Sequence, residues 1–311
     1  MKKKILIIGF GSIGKKHFQI VNKYKKNFST IVSSSYLGKK IFKTKKNQFF
    51  AGIVASPSRN HLKDLKMLIK SETPALVEKP LHFKSLSFKE EKQLLQTIKK
   101  NKILIQTAYC LRFHPAIVFL KRFIEKNKKE KILNIEFLTN SFLPLWRTGD
   151  YRKHVSASRK LGGGVLNELS HEIDLIIYLF GLPKPIISRI SNSNKLEINV
   201  EDNADIIFKT NFSSNIHMHL DFHSLPERRE INIIFKSKKI RVDLINSKVE
   251  IIEKNKRKIK NFKTEKDYIY IKQFENFINN IKNKKLDINS FKNSIDVLKI
   301  IHLIKRSNKT L

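Results

Sequence analysis

Gly9-Phe10-Gly11-Ser12-Ile13-Gly14 has a spacing that could cradle a phosphate. In this G-x-G-x-x-G pattern the first glycine permits a tight turn. The second lets backbone approach a pyrophosphate, and the third lets a helix pack on a strand. The flanking sequence suits that chemistry. The apolar run Ile5-Leu6-Ile7-Ile8 precedes the turn, and Ile13, His17, Ile20 and Val21 follow at helical spacing. A strand buried on both faces enters and a helix leaves, so the helix N-terminus offers backbone N–H groups to the anion. Phe10, Ser12 and Ile13 share that contact.

The next strand is predicted at Phe28–Ser33. A dinucleotide site of the NAD type usually carries an acidic residue about 20 positions past the glycines, bonded to the ribose hydroxyls. Here the chain reads Ile31-Val32-Ser33-Ser34-Ser35, and its first acidic residue is Asp64. No carboxylate would repel a 2′-phosphate, and Ser33, Ser34 and Lys39 could bind one, which favours NADP(H). Backbone and hydroxyl contacts could equally hold NAD. The segment between Ser35 and Phe49 is short for a strand–helix unit, which suggests a shortened or missing element and looser adenosine binding.

Further strands run into loops of the same kind. Gly52–Ala55 leads to Ser56-Pro57-Ser58-Arg59-Asn60-His61, followed by an amphipathic helix through Leu62, Leu65, Leu68 and Ile69. Ala75–Val77 leads to Glu78-Lys79-Pro80, and Ile103–Ile105 to Ala108-Tyr109-Cys110-Leu111-Arg112-Phe113-His114-Pro115. Ligands bind outside the carboxyl ends of strands in open α/β sheets. Ser56, Pro57, Asn60, His61, Glu78, Lys79 and Arg112 are therefore candidate cofactor contacts, and Tyr109 a candidate substrate contact.

The ordered set GFGSIG, ASPSRNH, VEKP, AYCLRFHP and GGGVLNELSHEID resembles the Gfo/Idh/MocA family of nicotinamide-dependent sugar oxidoreductases. VEDNADIIFKTNF and the final helical segment extend the resemblance over nearly the whole chain. It implies a Rossmann domain with a parallel sheet, then an α+β domain with an open, mainly antiparallel sheet. It also implies that Lys79 lies beside the nicotinamide and the reacting hydroxyl. A Lys at the end of a buried strand can act on the hydroxyl proton, and as an ammonium it can polarise the reacting oxygen. The implied reaction moves a hydride between NADP or NAD and a sugar carbon, with Lys79 and His171 handling the proton.

No Lys or Arg occurs from Leu161 to Pro183. With 63 basic residues in 311, about four or five are expected there. The pattern predicts one helix from Val165 to Phe180, entered through Gly162-Gly163-Gly164 and stopped by Gly181. Asn167, His171 and Asp174 form a polar stripe along it, with Glu168 and Glu172 beside them. On a chain otherwise coated with Lys, this stripe reads as facing substrate. The family pattern has Asp where this chain has Asn167. Asn cannot serve as a general base, so that role is in doubt or moves to Glu168. His171 keeps its place as acid–base group or hydroxyl orienter, and Asp174 is placed to orient it or to bind a hydroxyl.

Trp146-Arg147-Thr148-Gly149-Asp150-Tyr151-Arg152 and the glycine-led helix resemble the branch found in surface-polysaccharide and acidic-sugar pathways. Trp146 could stack on a sugar face, and Arg147 and Arg152 could hold a carboxylate or phosphate by bidentate bonds. Packed Trp and surface arginines are the alternative.

The length suggests two domains at roughly 150 residues each. The expected division is 1–116 for dinucleotide binding and 117–311 for substrate binding and oligomerisation, with the final helices packing back on the first domain. Strands are expected at Glu201–Phe208, Asn215–Phe222, Glu230–Phe235 and Lys239–Leu244, and helices at Tyr268–Ile281 and Phe291–Ile304. His217 and His219 read as surface or interface residues. The free face of that sheet would support a homo-oligomer, dimer or tetramer.

The formal charge of +36 raises nucleic acid as a partner. Against it, the charge is mostly Lys spread along the whole chain, without a basic helix or finger spacing. Cys110 is the only cysteine, which excludes an internal disulfide and makes a cysteine zinc site implausible. No metal is expected, since one His among carboxylates is a weak ligand set. With no apolar run of roughly 18 residues and no leader pattern, the chain reads as cytoplasmic without membrane partners. The rival readings are a catalytically degenerate NAD(P)-binding regulator of the same fold, or a Lys-rich nucleic-acid binder.

Overall fold

The computed structural model describes residues 2–33, 48–211, 215–254 and 256–308. Its strands are β1 Lys3–Ile8, β2 Phe28–Ser33, β3 Ala51–Val54, β4 Ala75–Val77, β5 Ile105–Thr107, β6 Ile132–Phe142, β7 Lys184–Ser191, β8 Asn203–Lys209, β9 Ile216–Asp221, β10 His223–Phe235, β11 Lys238–Asp243, β12 Lys248–Glu253 and β13 Lys256–Asn261. The helices are α1 Ser12–Lys23, α2 Ser58–Lys70, α3 Phe88–Lys100, α4 Pro115–Lys126, α5 Val165–Glu168, α6 His171–Phe180, α7 Tyr268–Lys282 and α8 Ile288–Ser307. The chain divides into two compact units, one of Met1–Cys110 with Ile269–Lys299 and one of Leu111–Tyr268 with Ile300–Leu311.

The first unit is a Rossmann domain. Its five strands are parallel, in the order β2-β1-β3-β4-β5. Alternation explains the unbroken apolar run of β1. Ile5 and Ile7 pack with Ile20 and Val21 of α1 and with Phe274, Phe277 and Ile278 of α7. Leu6 and Ile8 face the other way, into a core shared with Leu65 and Leu68 of α2, Ile98 of α3 and Phe291, Ile295 and Leu298 of α8. Both faces are covered, so every side chain of the run can be apolar.

The last strand lies later than expected. The pairing register places Ala75 opposite Ile105, and β5 runs Ile105–Thr107 rather than Ile103–Ile105. Ile103 instead closes the end of α3, where its N–H donates to the Ile98 carbonyl after Lys102 turns at φ 51°. α3 begins with a capping box, in which the Ser87 hydroxyl accepts from the Glu90 N–H and Glu90 reaches back.

The second unit holds eight strands in the order β13-β12-β11-β10-β6-β9-β8-β7. All neighbours are antiparallel except β6 and β9. β6 sits at its centre, with Ile135, Phe137 and Thr139 buried on one face and Glu136 exposed on the other. The ring of Phe180 in α6 meets Phe137 edge-on at 6.4 Å between centroids. The single helix expected from Val165 to Phe180 is broken. Leu169, at φ −97° and ψ 31°, ends α5, and α6 restarts at His171. Gly181 stops α6, its N–H donating to the Ile177 carbonyl. Among the described residues, no helix is long and apolar enough to cross a membrane.

Candidate functional site

In the first unit the sheet delivers three loops at the carboxyl ends of β1, β3 and β4. Gly9 leaves β1 at φ 96°, and a Cβ there would come within 2.5 Å of the Ser56 nitrogen. A Cβ on Gly14 would strike the Gly9 carbonyl oxygen. These glycines are forced by the turn and by the approach of α1 to the strand. Gly11 differs, because a Cβ on it would meet nothing within 4 Å. α1 starts beside that open space with no side-chain cap and no acidic residue in its first turn. A helix N-terminus so arranged suits a pyrophosphate, and the residues fit the implied cofactor. Phe10 is exposed, with its ring edge-on to Phe18.

Ser33 ends β2, buried, and its carbonyl accepts the Gly9 N–H at 2.8 Å. Ser34 and Lys39 lie outside the described residues, as does the segment expected to be shortened after Ser35. Pro57 precedes α2 and its carbonyl accepts the Asn60 N–H. The Ser56 hydroxyl donates to Asp64 at 2.6 Å. Burial pushes the Asp64 carboxyl up, opposed by the Ser56 hydrogen bond.

His61 is 2% exposed, and its ring nitrogens lie 2.8 Å from the Pro80 carbonyl and 2.6 Å from the Ser56 carbonyl. It ties the β3 loop to the β4 loop, with both ring nitrogens engaged by protein backbone. Burial pushes its pKa below the ordinary value, while the Pro80 carbonyl and the nearby Glu78 charge oppose that.

Glu78 continues the β4 ladder through its N–H to the Val54 carbonyl. Its buried carboxylate lies 2.7 Å from His17 Nε2 and also accepts the Lys79 N–H at 3.2 Å. Lys79 is half-buried and its bond to Pro80 is cis. Tyr109 is buried just past β5.

In the second unit, charge is neutralised internally. Arg112 forks onto Asp174, Nε to Oδ2 at 2.8 Å and a terminal nitrogen to Oδ1 at 2.5 Å, and lies 5.0 Å from the Tyr178 ring centroid. Burial pushes the Asp174 carboxyl up, against the pull of Arg112. Glu172 accepts from Arg229 at 2.7 Å and from the Thr139 hydroxyl at 3.0 Å. Burial by itself accounts for the absence of lysine from this stretch. Nearly every residue of α6 is buried, and its carboxylates are taken by arginines from other elements.

Asn167 is likewise internal. Its amide donates to the Gly162 and Gly163 carbonyls at 3.0 and 3.2 Å, closing the glycine turn that leads into α5. Glu168 is half-buried, and His171 opens α6 at 9% exposure. The break at Leu169 separates Asn167 from His171 and Asp174, which share α6.

The Trp146 indole N–H donates to the Ser141 hydroxyl, and the ring packs edge-on against Phe222 at 5.1 Å. Arg147 is exposed. Arg152 is paired with Asp150 at 2.9 Å and Glu197 at 2.8 Å. Among the described residues, no three His, Cys, Asp or Glu side chains cluster to hold a metal ion.

The contacts that sequence reasoning missed are His17 on Glu78 and Arg229 on Glu172. His17 had a local signal, a polar residue on the buried stripe three positions past Gly14. Arg229 had none, because only strand pairing brings β10 beside β6.

Residues 121–310 match the model of an oxidoreductase family, C-terminal alpha/beta domain, of Gfo/Idh/MocA proteins. The match spans more than half of the chain, and the chain belongs to this family. No curated protein matches it. Among solved structures it is similar to levoglucosan dehydrogenase in complex with NADH, with TM-score 0.85 and 15% identity over 100% of this chain and 98% of that one. It is also similar to UDP-N-acetylglucosamine 3-dehydrogenase GnnA from Acidithiobacillus ferrooxidans, with TM-score 0.76 and 15% identity over 100% and 99%. The WlbA dehydrogenase from Bordetella pertussis, in complex with NADH and UDP-GlcNAcA, gives TM-score 0.77 and 14% identity over 99% and 97%. At these identities the likeness is one of fold.

Proposed function

We propose that this chain is an NAD(P)-dependent dehydrogenase or reductase acting on a CH–OH group of a sugar or nucleotide-sugar. The observation that carries the proposal is the open space at Gly11 beside the uncapped start of α1, in a member of an oxidoreductase family. The nicotinamide, when bound, supplies or accepts the hydride. The chain's own parts do the rest. The 9–14 turn and the N-terminus of α1 hold the pyrophosphate. The end of β2 at Ser33 holds the ribose, and the lack of a carboxylate from Phe28 to Ser33 favours NADPH. Lys79 Nζ holds and moves the proton of the reacting hydroxyl, and His171 is its acid–base companion.

The similarity to dehydrogenases in complex with NADH and levoglucosan, or with NADH and UDP-GlcNAcA, supports this substrate class. A homo-oligomer built on the outward face of the eight-stranded sheet belongs to the same reading. A degenerate cofactor-binding regulator is the second reading, favoured by Asn167, whose amide serves the glycine turn.

Fluorescence titration with NADH and NADPH tests the first claim, and absence of binding at millimolar concentration overturns it. A panel of UDP-sugars, sugar acids and free aldoses, followed by nicotinamide absorbance, tests the second. Lys79→Ala is expected to lower kcat about a hundredfold or more while cofactor binding persists. Unchanged turnover in that variant removes Lys79 from the mechanism, and cofactor binding without turnover on any sugar favours the regulator.

A further inference from the structure

Lys79 lies in a loop, where a reacting side chain needs support from its neighbours. The residue before it and the residue after it are each held by a buried histidine. Glu78 is 7% exposed and His17 is 1% exposed, and the two meet at 2.7 Å between Oε1 and Nε2. The other carboxylate oxygen, Oε2, accepts the Lys79 N–H. One carboxylate thus joins α1 to the peptide on which Lys79 stands. The Tyr270 ring of α7 stands edge-on to the His17 imidazole at 6.5 Å, which limits its rotation. On the far side, His61 Nδ1 lies 2.8 Å from the Pro80 carbonyl.

A buried charged or polar pair of this kind is weak evidence for stability, because desolvation offsets most of its attraction. Orientation is what the geometry offers. We propose that His17 is a positioning residue that acts through Glu78 to fix the Lys79 turn, with His61 bracing the turn at Pro80. This rests on the proposed role of Lys79. The His17 ring is engaged by Glu78 and Tyr270, so its loss is expected to change cofactor affinity little. A reacting group displaced by about 1 Å costs on the order of a hundredfold in rate.

The experiment compares wild type, His17→Ala and His17→Gln in the full chain by three readouts. These are NADH and NADPH titration, kcat and KM on the best sugar of the panel, and hydrogen exchange of the Lys79 amide. In His17→Ala, kcat is expected to fall at least about tenfold, with KM and cofactor Kd within about threefold. The Lys79 amide is expected to exchange about tenfold faster, because the carboxylate that accepts it is no longer held. Gln can still donate from Nε2 to Glu78, so His17→Gln should recover most of both effects.

Normal cofactor binding with an unmoved Lys79 amide in His17→Ala overturns the positioning role alone. So does a Gln variant no better than Ala. A wild-type chain that binds neither cofactor overturns the functional reading, and the role of His17 with it.

Discussion

The turn after β1 and the helix α6 both come from glycine-led stretches without lysine in their cores, yet they are built in opposite ways. At the turn, backbone N–H groups stand beside space into which even an added methyl at Gly11 would extend freely. At α6, side chains fill the space, and Asp174 and Glu172 are neutralised by Arg112 and Arg229. The first region leaves a helix N-terminus uncapped beside open space, the arrangement that the proposed pyrophosphate contact needs. The second has internal counterions, and its charge serves to place the helix that carries His171. A missing positive charge therefore has no single meaning: burial excludes lysine from α6, while backbone close approach demands glycine at the turn.

The largest effect should come from breaking a counterion in α6. Arg112→Met leaves the fully buried Asp174 carboxylate without its fork and is expected to lower unfolding free energy by about 3–5 kcal/mol in urea titration. Adding Asp174→Leu should recover most of it. A loss under about 1 kcal/mol would mean that the fork does not hold α6.

The glycines of the turn should then separate by what surrounds them. Gly14→Ala drives a methyl into the Gly9 carbonyl and is expected to cost about 1–3 kcal/mol of stability. Gly11→Ala should melt like wild type yet bind NADH and NADPH at least about tenfold more weakly, because its methyl occupies the space beside the helix N-terminus. Equal affinity in Gly11→Ala would place the pyrophosphate elsewhere.

Asn167→Asp restores the family's residue type but points a carboxylate at two carbonyl oxygens. It is expected to destabilise by about 1–3 kcal/mol and to leave turnover no higher than wild type. A gain in turnover would return this position to the chemistry.

The smallest effect lies on the outward face of the second unit. His219 is held between Asp221 and Asp205, and its hydrogen bond to Asp221 does most to raise its pKa from 6.5 to about 9. A raised pKa means that protonation favours the folded chain. The contribution is complete below about pH 6.5, declines above it and is gone past about pH 9. Thermal melts across that window should show a slope that His219→Gln flattens.

Local signals carried the first unit far. Short apolar runs marked β1 and β4, because a strand covered on both faces leaves its mark in adjacent positions. The final helices were also legible from their spacing. β6 was not, since Leu138 and Thr139 interrupt the alternation that Asn134, Ile135, Glu136 and Phe137 begin, and the pattern stays weak until β9 and β10 flank it. Ile103 misled for a related reason, as an apolar residue that plugs a helix end resembles one that starts a strand.

By itself, the sequence determined β1, the glycine turn that leaves it and the start of α1, because each depends on residues adjacent along the chain. Only the tertiary structure decided which charged groups are engaged within the protein. Arg112 with Asp174, Arg229 with Glu172 and His17 with Glu78 join residues far apart in the chain. Electrostatic pairing in a buried interior depends on distance in space, and that distance exists only after the sheets and helices have assembled.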